Sequence, residues 1–237
     1  MLKKKSENKK KCILGVVGKN SDKKILLWSS TLCFLSGFLN SLGFLKFNTS
    51  VSHVTGSFTK LSIDVIDSTF YDLSYLIILV FCFFFGAIIS GLLIGEREFS
   101  LRKRYGMVVM GIGIGVSFFW LLLGDNKLFV FILSFFSGIQ NGIFITYKGV
   151  IVRTTHVTGG ITDLGVLIGR YLKHKKVCLW KIRFQLAIIT GFFLGGASGT
   201  MGYSYLYDNI FYILSLSYIL VGSIYFIWRK QSMESNE

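Results

Sequence analysis

At 237 residues, with no proline, 52% of the chain apolar and a mean hydropathy of +0.59, the protein carries more apolar side chain than a soluble domain of its size can bury. That excludes an ordinary soluble enzyme and any Pro-kinked helix. The net charge of +14 points to topology rather than to nucleic acid, because the basic residues sit in blocks between apolar runs and are not interleaved with base-stacking aromatics.

Residues 1–24 form a tail with nine lysines, which either binds anionic lipid headgroups or simply anchors orientation. The apolar run that follows is longer than a secretory h-region and has no A-x-A cleavage signal, so it reads as an uncleaved first span. Six stretches are long enough, at about 1.5 Å per residue, to cross a hydrocarbon core of roughly 30 Å. They are Ile25 to Leu45, Leu73 to Gly95, Tyr105 to Gly124, Leu128 to Tyr147, Phe184 to Ser204 and Asn209 to Trp228. Segments 50–66 and 155–171 are only partly apolar. Cys12, Cys33, Cys82 and Cys178 have no CxxC spacing, which argues against a disulfide framework or a zinc site.

Six spans with a cytoplasmic N-terminus leave 23 basic residues inside and three, Lys46, Lys60 and Lys127, outside. Eight spans would move Arg97, Arg102, Lys103, Arg104, Lys148 and Arg153 outward, against the positive-inside rule. The sequence therefore predicts six crossings, with the two partly apolar segments dipping into the membrane or lying at its interface.

An internal repeat organises these elements. Ser52-His53-Val54-Thr55-Gly56 returns as Thr155-His156-Val157-Thr158-Gly159, and Thr59 and Leu61 return as Thr162 and Leu164. Upstream, the run Phe34 to Asn40 matches Phe135 to Asn141; downstream, Phe84-Phe85-Gly86 matches Phe193-Leu194-Gly195. Each unit then holds three crossings, an odd number, so the second is inverted relative to the first, a pattern that recurs in channels and secondary transporters. The expected fold is all-α: residues 25–127 and 128–228 as two inverted three-helix repeats, each with a re-entrant HVTG half-helix, followed by a short tail at 229–237.

Non-helical backbone at membrane depth must be buried in protein or line a wet cavity. Thr55 or Thr158 can cap a following half-helix, while Gly56 or Gly159 lets the backbone bend or pack closely. The free N–H groups of such a helix start attract anions and dipoles. The candidate substrate-contacting residues are thus Asn40, His53, Thr55, Gly56 and Thr59, with Asn141, His156, Thr158, Gly159 and Thr162. The histidines either contact a solute or proton, brace their turns against a carbonyl, or ligate a metal; no Cys or carboxylate recurs at ligand spacing beside both. The asparagines either line a pathway or pair between helices. Asp163 is not duplicated, its counterpart being Lys60, and a salt bridge to Arg153 or Arg170 is its structural alternative. Gly111-Ile-Gly113-Ile-Gly115 lies inside an apolar span with no preceding strand, so it is no dinucleotide loop.

A span ending G-x-x-N, a T-G turn after it, and a second G-x-x-N and V-T-G resemble the YoaK-like family of bacterial inner-membrane proteins of unknown function. The resemblance covers roughly residues 25–228 and is carried by Gly37, Asn40, Thr55, Gly56, Gly138, Asn141, Val157, Thr158 and Gly159. It implies a membrane location and about six helices, with no established substrate. Together these readings lead to a small-solute transporter or channel of the bacterial inner membrane, with a membrane scaffold or assembly protein as the alternative. No enzymatic activity, catalytic residue, cofactor, metal or nucleic-acid partner is expected; the lipid bilayer, a small solute or ion, and further copies of the chain as a homo-oligomer are the partners considered.

Overall fold

The computed structural model describes residues 19–67, 70–95, 101–143, 146–147, 150–174 and 179–234. Most of the basic tail, Cys12, Cys178, Lys148 and the end of the C-terminal tail lie outside them. The described elements, in chain order, are α1 (Lys19–Phe47), α2 (Val54–Asp67), α3 (Phe70–Ile94), α4 (Lys103–Leu123), α5 (Leu128–Ile143), a two-residue ladder of β1 (Thr146–Tyr147) with β2 (Val150–Ile151), α6 (Val157–His174), α7 (Leu179–Leu206) and α8 (Ile210–Glu234).

Helix ends follow from local chemistry in the absence of proline. Gly95 and Gly124 end α3 and α4 at positive φ, and the Gly124 N–H bonds back to the Trp120 carbonyl at 2.8 Å, as glycine allows at a helix C-terminus. Asn48 at φ 52° does the same for α1, its N–H reaching the Phe44 carbonyl at 2.8 Å. A turn of 3₁₀ helix at Tyr207–Asn209, with Tyr207 at φ 48°, separates α7 from α8.

Four stretches are long and apolar enough to cross a membrane: Lys23–Phe47, Leu73–Ile94, Lys103–Leu123 and Leu179–Ser232. The last, 54 residues long, contains both α7 and α8. Leu128–Ile143 is apolar but shorter. The outer faces match this composition, with Leu92 and Phe193 at least 70% exposed. Two helix boundaries differ from expectation. The fourth apolar run was expected to stay helical to Tyr147, yet Thr146 and Tyr147 pair antiparallel with Ile151 and Val150; Thr, Tyr, Val and Ile are the residue types that favour extended pairing. The described part of the tail is helical from Lys19, continuous with α1.

Three helix pairs make the core: α1 with α7, α3 with α5, and α4 with α8. Each closes through glycine. A Cβ on Gly37 would collide with the Phe192 carbonyl oxygen and one on Gly195 with that of Phe34; likewise Gly86 faces the Phe135 carbonyl and Gly138 that of Phe83. In the third pair Gly113 faces the Ser215 carbonyl and Gly222 that of Gly106. Backbones this close gain dispersion contact and leave no room for any other residue. The contacts also give chain direction. Ser30, Phe34 and Phe38 meet Gly191, Gly195 and Gly199 in the same order, so α1 and α7 run parallel, whereas α4 and α8 run antiparallel.

Both ends of the bundle are tied. Lys46 Nζ reaches Asp125 at 2.5 Å and Asp208 at 2.7 Å, gathering the C-terminal ends of α1, α4 and α7. At the opposite end Trp28 packs against Tyr225 and Trp228, and the Tyr225 hydroxyl donates to the Arg102 carbonyl at 2.8 Å. Between them, buried Gln140 donates to the Leu32 carbonyl at 2.7 Å and accepts from the Tyr218 hydroxyl.

Candidate functional site

The two His-Val-Thr-Gly segments are built on the same frame. A polar residue at the end of an apolar helix must be satisfied, and each asparagine solves this with the turn that follows it. Asn40 Oδ1 accepts the hydroxyls of Ser50 and Ser52 at 2.9 and 2.8 Å. Asn141 Oδ1 accepts the Thr155 N–H at 3.3 Å. The asparagines therefore hold the turn before each motif against the preceding helix, rather than pairing with each other.

Each motif helix starts two residues earlier than a threonine cap implies. Val54 and Val157 are the first helical residues. The carbonyls of His53 and His156 accept the first helical bonds, from Ser57 at 3.2 Å and Gly160 at 3.1 Å, which makes the histidines the cap positions. Thr55 and Thr158 lie inside the first turn. Thr59 and Thr162 return their hydroxyls to the carbonyls of Thr55 at 3.2 Å and Thr158 at 3.0 Å, the back-bonding that threonine makes within a helix. All four threonines are exposed, as are both histidines.

The surroundings of the two motifs differ. His53 donates its N–H to Ser50 Oγ at 3.2 Å and stacks its ring over Phe192 at 6.0 Å. A Cβ on Gly56 would meet open space, so close packing is not what that glycine serves, whereas one on Gly159 would press on the His156 imidazole. The helix α2 lies on α3 and α6 on α7; neither packs extensively on the other. Between α2 and α3 runs a wholly apolar groove of about 630 Å³ lined by Val54, Phe58, Leu61, Phe81 and Phe84. At the start of α6 is a cavity of about 170 Å³ in which the polar side chains of Arg153, His156, Asp163 and Gln185 stand beside Gly159, Gly160 and Ile188.

The helix α7 connects the two places. His53 meets it at Phe192, in the middle of its 28 residues, and Gly160 meets it at Gln185 and Ile189. Gln185 and Phe192 are seven residues apart, about 10 Å along a helix. Sequence reasoning brought forward His156 and Gly159, weighed Asp163 and named Arg153 only as its ion-pair partner, but missed Gln185. The repeat carried a signal for the glutamine: the register that aligns Gly86 with Gly195 sets Gln185 against Leu76, a polar amide where the other unit has an aliphatic side chain. The alternative of a salt bridge between Asp163 and Arg153 or Arg170 is not realised among the described residues.

Over residues 28–225 the chain matches the family described as "Protein of unknown function (DUF1275)", and it belongs to that family, consistent with the YoaK-like resemblance. Neither a curated protein nor a solved structure matches it.

Proposed function

We propose that the protein is a small-solute transporter or channel of the bacterial inner membrane. It has six crossings, a cytoplasmic N-terminus and two inverted units, each contributing one re-entrant half-helix. One observation carries this reading: the start of α2 meets α7 at Phe192, in its middle, and the first turn of α6 meets it at Gln185 and Ile189, within its N-terminal half, yet their chains arrive from opposite ends of it. The first follows Lys46, which is bonded to Asp208 beyond the C-terminal end of α7. The second follows Tyr147, which packs on Trp180 in the first turn of α7. Broken segments that enter from both sides and stop near mid-depth are the usual setting of a transport site.

The six-crossing topology has its own support. If α2 and α6 also crossed, α4 and α8 would run parallel and the ends of α1 and α4 would lie on opposite sides. The Lys46–Asp125 bond joins those ends, and α4 and α8 are antiparallel. The inverted repeat is supported by paired glycine contacts, since the four closest approaches to a backbone carbonyl fall at equivalent registers: Gly37 on Phe192 with Gly138 on Phe83, and Gly86 on Phe135 with Gly195 on Phe34. In this reading Asn40 and Asn141 fix the turns, the threonine and glycine positions of α2 and α6 face the pathway, and His53 and His156 gate it or relay protons. Nothing in the proposal requires a covalent step.

Two experiments test it. Single cysteines at Thr59, Thr162 and Arg102 on a Cys-free background, labelled in intact cells with a membrane-impermeant maleimide, should react at Thr59 alone; labelling of Arg102 from outside would overturn the topology. For function, proteoliposomes shrunk with urea, glycerol, glycine or acetate are followed by stopped-flow scattering. At least one solute should re-enter faster than into empty vesicles, and the double variant His53→Gln, His156→Gln should lose that advantage. If no solute in the panel enters faster than through lipid, the transport reading fails and the scaffold alternative replaces it.

A further inference from the structure

The cavity at the start of α6 presents unmet polar chemistry of both signs. Gln185 is 3% exposed and lines this cavity; its Oε1 is buried with no hydrogen-bond partner, so the Nε2 side of the amide is the one a bound solute can meet. Its amide stands at the first turn of α6, with Nε2 3.6 Å from where a Cβ on Gly160 would be. Arg153 and Asp163 line the same cavity, and neither takes part in an ion pair among the described residues. The first helical bond of α6 runs from Gly160 to His156, so the N–H groups of Thr158 and Gly159 lie ahead of the hydrogen-bonded ladder at the positive end of the helix.

An anion alone would meet Arg153 and the helix start but also the Asp163 carboxylate. A cation alone would meet Asp163 but also Arg153 and the helix dipole. A solute with both charges satisfies every group. The volume, about 170 Å³, corresponds to roughly five or six waters at ~30 Å³ each, the size of a molecule with a handful of heavy atoms. We infer that this cavity binds a small zwitterion of the amino-acid type, its carboxylate held by Arg153, the Gly159 N–H and the Gln185 amide Nε2, its ammonium by Asp163. The inference deepens the transport reading by naming the solute class, and rests on that reading only for where the bound solute goes next. The first unit has no such site: Arg153, Asp163 and Gln185 correspond there to Ser50, Lys60 and Leu76.

Calorimetric titration of the full chain in lipid nanodiscs with glycine, acetate and methylammonium tests it. Glycine should bind saturably, with acetate and methylammonium each at least about tenfold weaker, the size of one lost charged hydrogen bond or more. Asp163→Asn and Gln185→Leu should each weaken glycine by about tenfold or more. Gln185→Leu should keep or raise the unliganded Tm, since it removes a buried unpaired oxygen, so loss of binding there is not loss of fold. Acetate binding as well as glycine, glycine binding unchanged in both variants, or no glycine binding at all would each overturn the inference. Glycine binding without glycine flux in proteoliposomes would uphold the site and count against transport. Flux of another solute without glycine binding would do the reverse.

Discussion

The two His-Val-Thr-Gly segments share a skeleton and differ in what they enclose. In both, an asparagine on the preceding helix holds a turn, a histidine caps the next helix, and a threonine four residues after the motif threonine returns its hydroxyl to that residue's carbonyl. Yet the first segment flanks a wholly apolar groove and the second a cavity with charged and amide side chains in its wall. What the two segments share is what the backbone requires, because close glycine crossings and amides that hold a turn allow few substitutes, while their lining positions differ. The comparison separates residues kept for architecture from residues available for solute chemistry.

The largest expected effect tests the shared skeleton. Gly86→Val and Gly195→Val each place a side chain against a backbone carbonyl, of Phe135 and Phe34 respectively, and neither neighbour can move without displacing its helix. Each should cost at or beyond the ~3 kcal/mol upper end of overpacking, read as loss of monodisperse protein and a fall in Tm. Equal losses sharpen the comparison. A tolerated change in one unit alone would break it, by showing that the two crossings do not bear the same constraint.

Next in size is an exchange of lining residues between units. Leu76 and Gln185 occupy equivalent positions, both buried. Leu76→Gln buries an amide beside the apolar groove and should destabilise by about 1–3 kcal/mol. Gln185→Leu should be neutral or stabilising in the absence of solute. Opposite signs for the two Tm shifts would identify the cavity at the start of α6 as a place where stability has been given up for chemistry; the same sign for both would remove that argument.

The asparagine frame should respond less. Asn40→Ala removes the acceptor of two hydroxyl hydrogen bonds, Asn141→Ala that of one backbone N–H. At about 1 kcal/mol for a typical bond, Asn40→Ala should lower Tm more, unless the serines of the first turn find water, which would bring the two losses level. This pair also marks what was legible in the sequence. The helices, the order of the motifs and the importance of both asparagines followed from hydropathy and from residues recurring at fixed offsets. The capping role of the histidines did not, because a helix start is defined by which carbonyl accepts the first bond and His-Val-Thr-Gly offers two plausible places. Gln185 was hidden for another reason: it lies in an apolar run far from either motif, and only the packing of α6 on α7 brings it to the start of α6.

The smallest effect separates the two ends of the bundle. In the register that aligns Asn40 with Asn141, Lys46 corresponds to Tyr147. Where the first unit closes its end with an ion cluster, the second closes its own with Tyr147 against Trp180 and Phe184. Hydrogen bonding to the Lys46 ammonium, and the charge of that ammonium, hold the Asp125 carboxyl below the usual carboxylate range. A depressed folded-state value means that stability from the pair is fully present at neutral pH and is lost as the pH falls through that value, below about pH 4. The Tm difference between wild type and Asp125→Asn should therefore be small and constant from neutral pH to about pH 5, then shrink in acid and in 1 M salt. Asp125 is mostly exposed, with 76% of its side chain accessible, which keeps the effect small. Tyr147→Phe leaves Lys46 and both its carboxylate partners in place, so its Tm difference from wild type should not carry the acid response of that cluster. A matching acid response at the Tyr147 end would mean that the ion cluster is not what distinguishes the two closures.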